Sequence, residues 1–521
     1  MVTVPAQGGN LTEGVIGAPR FVNPILAVSN ADKDLTQLIY AGLLTTGKDG
    51  THIPELAESY NISPDGLVYT FTLRNNLTWH DGEPLTSDDV SFTIKTAQEP
   101  LVKSAKRANW EGVIVETPDP QTVIFRLAQP FAPFLENATI GILPEHIWGA
   151  INLEAFPHSV FNSGAVGAGP YRVSKVANNK NTGVPEHYDL EAFDDYALGV
   201  PYIENIRVRF YPNENALVEA YLQGEVESMA ALSPSILNNL EITGVKIATA
   251  PLPRVFGVFF NQNQASVFSD PNVRLALDAA ISRDLITDTV LFGYGSGITG
   301  PIPPGSLGYV EGVDEGGATG KERAIRILED GGWITNKETG VRERKGTPLS
   351  FRISTVNAPE LKEAVEIIAT SWRTIGANVE IDLFELGDLN QNVIRPRKYD
   401  ALFFGQVLGR EPDLFSFWHS SQRNDPGLNV ALYTNLGADK LLENARTTVS
   451  IDARSKMLEQ AAEVIKKDAP AVFVYSPSFL YLIPPSIKNF SMGTVTTASE
   501  RFLGIHSWYL ETERIWQVFA E

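Results

Sequence analysis

Residues 349–383 read LSFRISTVNAPELKEAVEIIATSWRTIGANVEIDL, and this stretch decides the fold class. Leu349, Phe351 and Ile353 alternate with polar residues, the period of a strand. Leu361, Ala364, Val365, Ile368, Trp372 and Ile375 then recur at helical spacing, Gly376 stands where a helix stops, and Val379, Ile381 and Leu383 alternate again. Strand, crossover helix and strand form a right-handed unit of a parallel or mixed sheet. A second such unit lies upstream. Ile206, Val208 and Phe210 read as a strand, Asn213 as the cap of a helix carrying Ala216, Leu217, Ala220 and Tyr221, and Gly224 as its stop, with Val226 and Met229 in the next strand. Two separated units predict an α/β protein of two lobes; a (β/α)8 barrel would need eight regular repeats.

Further out, residues 46–158 read as a small α+β unit. Leu67, Tyr69, Phe71 and Leu73 share a strand face, and Trp79-His80-Asp81-Gly82-Glu83-Pro84 is turn-rich. Thr86-Ser87-Asp88-Asp89 opens a helix with a capping hydroxyl and early acids, whose apolar face holds Val90, Ile94 and Ala97. Residues 113–116 and 122–127 predict a hairpin around Thr117-Pro118-Asp119-Pro120.

The chain has 521 residues, 43% hydrophobic and 20% charged, a balance that excludes global disorder. Its 42 basic and 62 acidic residues give a net charge of −20, which argues against nucleic acid or anionic membrane as partner. Cysteine is absent, which excludes disulfides, thiolate metal sites and a Cys nucleophile. No apolar run reaches the roughly 18 residues of a membrane span, and the first residues lack the pattern of a signal peptide. None of the seven histidines has the i, i+4 spacing of a helical zinc site, so no metal and no cofactor is expected. Gly293-Tyr294-Gly295-Ser296-Gly297 lacks the lysine of a phosphate loop and reads as a flexible turn. Acid pairs such as Asp88-Asp89 and Asp194-Asp195 keep a carboxylate-dependent hydrolase as a remote alternative. Trp372 reads as core, whereas Trp110 and Trp418 stand in irregular polar surroundings suited to a site wall. With no catalytic motif, the residues favour a binding protein over an enzyme.

Several segments together resemble the extracytoplasmic solute-binding proteins of family 5, the oligopeptide, dipeptide and nickel class of ABC-transporter substrate-binding proteins. They are Pro54–Tyr60, Ser63-Pro64-Asp65-Gly66, Tyr69–Arg74, Trp79–Val90, Gly167-Ala168-Gly169-Pro170-Tyr171, Phe260-Asn261 with Phe268, Asp270, Val273-Arg274, Ala276, Ala279, Ile281 and Arg283, then Pro301–Pro304 and the helix 324–333. The resemblance implies a two-lobed periplasmic-binding-protein-like fold of type II with an extra small α+β domain and a ligand cleft between lobes. The expected division is 1–45 with 160–255 and 480–521 as lobe I, 46–159 as the insert and 256–479 as lobe II, with hinges near 255 and 480. It also implies capture of short peptides by hinge closure and delivery to ABC permease subunits, by a monomer working in the periplasm or on the outer face of the cytoplasmic membrane, its signal or anchor removed upstream. The same scaffold serves oligosaccharides, opines and nickel complexes, which remain the alternative.

Ligand-binding positions follow from the resemblance: Ala27, Val28, Ser29 and Asn30 near the start; Asn109 and Trp110 in the small domain; Arg254, Phe256 and Phe259 past the first hinge; Phe404, Gln406, Val407, Leu408, Arg410 and Glu411 in a later loop, with Trp418 beyond. Where peptide-binding relatives carry an aspartate after Gly-Trp to pair with the peptide's α-ammonium, this chain has Gly405-Gln406-Val407-Leu408-Gly409 and no acid. Glu411 or Asp413 would have to substitute, or the amine is absent or held elsewhere.

Overall fold

The computed structural model describes residues 1–240, 246–312 and 318–516. They fall into two compact units. The first takes in Met1–Leu232, Glu241–Ala250 and Phe479–Glu521, and the second Ser233–Leu240 and Pro251–Ser478. The chain passes between units at 250–251 and 478–479, a few residues before the expected 255 and 480, and residues 233–240 belong to the second unit.

In the second unit the strands run in the order Asn378–Phe384, Ser350–Val356, Ala401–Val407, Arg254–Phe260, then the strand that opens at Ala471. Ser350–Val356 lies parallel to Asn378–Phe384 in unbroken register from Ser350 opposite Asn378 to Val356 opposite Phe384. The helix between them, Pro359–Thr374, starts on a proline and buries Ala364, Val365, Ile368, Ala369 and Trp372. Trp372 donates its indole N–H to the Leu277 carbonyl at 2.8 Å, so its one polar atom enters the core satisfied. Gly376 adopts φ +93°, the left-handed turn that releases the chain into the next strand. Both faces of the sheet are covered: Val258, Phe260, Phe351 and Trp372 belong to one core and Phe259, Leu402, Trp418 and Phe473 to the other. This is why residues 255–260 and 401–403 carry no polar side chain rather than alternating. Each such buried side chain is worth roughly 1.5–3 kcal/mol of transfer free energy.

The expected flexible turn at 293–297 is instead in part a strand. Gly295–Gly297 pairs antiparallel with the 471–483 strand, Gly295 opposite Pro477 and Gly297 opposite Tyr475. A Cβ on Gly295 would lie 2.4 Å from the Leu291 side chain and 3.0 Å from the Ser476 carbonyl oxygen, so the glycine permits close backbone approach.

In the first unit Asn10–Ile16 lies parallel to both Asn205–Tyr211 and Ser228–Ala230, and the helix Glu214–Leu222 makes the crossover between them. Asn213 caps that helix by accepting the Ala216 N–H at 3.0 Å. Pro185–Ala192 and Tyr171–Asn178 extend the sheet beyond Asn205–Tyr211. A separate four-stranded sheet runs in the order Ala57–Ile62, Val68–Leu73, Thr122–Arg126, Ile114–Asp119, and the helix Ser87–Gln98 opens at Thr86, whose N–H donates to Asp89 at 2.9 Å.

Two of the quoted motifs prove to be one structure. The Gly167 N–H donates to His80 Nδ1 at 3.2 Å, the His80 N–H donates to the Gly167 carbonyl at 2.9 Å, and His80 Nε2 lies 3.0 Å from the Gly169 carbonyl. Since Nδ1 accepts, Nε2 carries the proton and the ring is neutral. Burial pulls His80 down to about 4. A Cβ at Gly167 would fall 2.0 Å from the Ile39 carbonyl oxygen, so this segment needs glycine to seat on the end of the helix Asn30–Ile39.

Candidate functional site

The first unit encloses a cavity of about 250 Å³ whose wall includes Ala27, Asn109 and Trp110, three of the positions named from the sequence. An adjoining cavity of about 350 Å³ shares Gln37, Thr45, Thr46, Glu55, Glu500 and Leu503 with it. The helix Asn30–Ile39 supplies Lys33 and Gln37, one turn apart on one face. Its start is held by Asp32, whose carboxylate accepts the N–H groups of Arg20, Phe21, Val28 and Ser29 at 2.6–3.2 Å. Ser29 in turn accepts the Asp32 N–H at 3.1 Å, so its hydroxyl serves the cap. Val28 and Asn30 are exposed. Asn109 and Asn137 are locked together, Asn109 donating to the Asn137 side-chain oxygen at 2.9 Å and receiving an N–H on its carbonyl at 3.0 Å. Trp110 is 1% exposed, with its ring 5.3 Å from Phe125 and 5.6 Å from Phe134. It is a structural wall, not an open stacking platform.

Of the wall's charges only Glu55 lies in a segment quoted from the sequence, Pro54–Tyr60, and none was named as a site residue. Glu55 accepts the Gly42 N–H at 3.0 Å and the Tyr196 hydroxyl at 2.7 Å, and burial pushes it up to about 7 in spite of both. Glu136 stands 3.4 Å from His52. Glu500 accepts the Thr496 N–H at 2.9 Å and the Thr496 hydroxyl. The segment carrying Glu500 is pinned by its neighbour Arg501, which makes hydrogen bonds of 2.7–3.0 Å to Glu13 and Asp34, all three side chains being buried. Tyr481 also donates to Glu13 at 2.9 Å.

The candidate positions of the second unit separate into two groups. Phe259, Leu408 and Trp418 are core residues; Trp418 lies 6.0 Å from Phe259 and 5.6 Å from Phe473 by ring centres. Their side chains fill the sheet's second face. Phe404 is half-buried against the same core. Phe256 stacks on Tyr475 at 4.8 Å and lies across Gly405, where a Cβ would meet its ring at 2.8 Å. Val407 is 61% exposed. Gln406 is buried, and its amide oxygen and nitrogen make no hydrogen bond. Arg410 is buried too. Arg254 is half-buried, has its Nε shielded without a hydrogen-bond partner and makes no ion pair among the described residues, and burial lowers it from its ordinary value. Both acids of the loop are engaged, Glu411 with Arg454 at 2.7 Å and Asp413 with Arg446 at 3.0 Å. Among the described residues no group of three or more His, Asp or Glu is placed to hold a metal, and no helix is long and apolar enough to cross a membrane.

The chain belongs to the bacterial extracellular solute-binding proteins, family 5, whose middle-region model matches residues 51–427. It is 28% identical over 493 residues to the oligopeptide-binding protein AppA of Bacillus subtilis, covering 93% of this chain and 89% of that protein. The structure of B. subtilis AppA in complex with a nonapeptide matches with a TM-score of 0.71 and 27% identity over 98% of this chain and all of that one. The ABC-transporter substrate-binding protein CtaP of Listeria monocytogenes matches with a TM-score of 0.80 and 26% identity, over 97% of this chain and 100% of that one. The α/β fold is that of these binding proteins.

Proposed function

We propose that this chain is the substrate-binding component of an ABC importer, capturing short peptides outside the cytoplasmic membrane and handing them to permease subunits as a monomer. One observation carries the reading: near full-length similarity, in sequence and in fold, to a protein named for oligopeptide binding whose structure holds a nonapeptide. The mechanism follows from population arithmetic. A solute drives closure only through contacts the closed state makes and the open state lacks, and moving a 1:99 population to 99:1 takes roughly 5.5 kcal/mol of such difference. The passages of the chain at 250–251 and 478–479 are the hinge candidates. Arg254, four residues past the first, and Phe256, Gln406 and Val407 are the contacts we assign to the solute in the second unit.

A second reading, the same scaffold holding a non-peptide solute such as an oligosaccharide, an opine or a nickel complex, is favoured by the pairing of Glu411 and Asp413 with arginines, which engages both acids that could take an α-ammonium. Thermal unfolding against peptide pools and against sugar and opine panels separates the two. A peptide at 100 times its dissociation constant adds about 2.7 kcal/mol of stability. A shift with the non-peptide panel alone overturns the first reading.

A further inference from the structure

His80 stands outside both cavities of the first unit, yet it holds a segment that reaches both. Its backbone N–H and its two ring nitrogens engage Gly167 and Gly169. The Gly169 N–H goes on to the Ile39 carbonyl at 2.8 Å, so residues 167–170 close the end of the helix Asn30–Ile39. Tyr40, the next residue, lines the cavity of about 250 Å³, and Pro170 lines the adjoining one. The seat is tight: a Cβ on Gly167 or Gly169 would fall 2.0 Å or 2.6 Å from Ile39 backbone atoms. The latch holds only the neutral ring, because Nδ1 accepts from Gly167 and a proton there would set N–H against N–H. Burial opposes that proton, and so does Arg172 from the strand Tyr171–Asn178; the Gly169 carbonyl and Asp81 favour it. Asp81 is itself paired at 2.9 Å with His146 of the helix Glu145–Trp148. Phe193 meets the imidazole edge-on at 4.7 Å and brings no charge. The ring titrates at about 4 in place, against 6.5 when free, so opening takes up a proton between those values. His80 is half-buried, which leaves it within reach of a proton from solvent.

We propose that His80 is an acid-released latch: a proton on Nδ1 unseats residues 167–170 from the end of the helix Asn30–Ile39, loosens the walls of both cavities and lets bound solute go. The release rests on the solute reading above and deepens it; the latch itself does not depend on it. Because the value in the folded chain lies below the free one, the latch is firm above 6.5 and weakens as the pH falls toward 4. Only hydrogen bonds change. The proton comes from solvent and returns to it when the pH rises, so the latch resets.

Two readouts on the full chain test this. Amide hydrogen exchange of residues 167–170, corrected for the intrinsic rate, reads the latch without solute. Protection should fall about twentyfold from pH 6 to pH 4.5 in the parent and less than about threefold in His80→Asn. Asparagine keeps an acceptor near the place of Nδ1 and takes up no proton in this range. Titration calorimetry with one pool of tri- to pentapeptides reads release: over the same range the parent should lose at least about fivefold more affinity than the variant. Circular dichroism melting checks that the variant is folded; if it is not, a flat exchange profile in the parent overturns the latch by itself. Parallel exchange profiles in parent and variant also overturn it. Parallel affinity profiles overturn the release and leave peptide capture standing. A parent that binds no peptide at pH 6 overturns capture and release together, while exchange still decides the latch.

Discussion

Glu55 is the cavity's most informative carboxylate because its protonation is coupled to folding. In the folded chain it titrates at about 7, against 4.5 for the free group. The folded state therefore holds a proton that the unfolded chain has released. Neutral Glu55 contributes stability that is fully present below 4.5 and is lost as the pH rises through about 7. At 1.36 kcal/mol per pKa unit, the loss between pH 4 and pH 8 is about 3 kcal/mol. Glu55→Gln copies the protonated form, its amide oxygen accepting from Gly42 N–H and its NH2 donating to the Tyr196 oxygen. The variant should match the parent at pH 4 and exceed its stability by up to about 3 kcal/mol at pH 8. His80 works in the opposite sense. Its folded value of about 4 lies below the 6.5 of the free ring, so its contribution is present above 6.5 and is lost as the pH falls toward 4. Taken by themselves the two contributions run in opposite directions across this window, and Glu55→Gln removes one of them. Urea unfolding at half-unit steps from pH 4 to pH 8 reads the difference. Parallel curves for parent and variant would refute the assignment of a protonated, buried Glu55.

Arg501→Met leaves Glu13 and Asp34 buried with no cation, which should cost about 3–5 kcal/mol in urea unfolding; a loss below about 1 kcal/mol would show that the network is dispensable. Because Arg501 anchors the segment carrying Glu500, the same variant should weaken solute binding measured by calorimetry below the unfolding transition. Trp418→Ala should cost about 3–5 kcal/mol of stability through the cavity it opens, with the dissociation constant of the solute unchanged. A tenfold weaker affinity without loss of stability would return Trp418 to the binding surface.

Local signals were read well. The strand–helix–strand at 350–384, the Asn213 cap and the Thr86 helix start rest on periodicity and capping within a few residues, and all three stand in the structure. Burial set by distant partners was not legible. Trp418 lies between polar stretches, yet Phe259, Tyr433 and Phe473 close over it. Gly293–Gly297 has the composition of a turn, and its strand pairing comes from residues 475–477, nearly 180 positions later. The cavity charges were missed for the same reason. Lys33, Glu55, Lys106, Glu136 and Glu500 span most of the chain, and no spacing rule links them. The departure at Gly405–Gly409 was visible, and the structure adds that the two nearby acids already have arginine partners.

Native mass spectrometry tests solute capture most directly. The full chain, freed of bound solute by unfolding and refolding, is mixed with a defined pool of short peptides and transferred intact. The account predicts adducts of one peptide per chain, enriched in a subset of the pool and displaced by excess of that subset. Absence of any peptide adduct from a refolded chain that retains its native melting transition would contradict it.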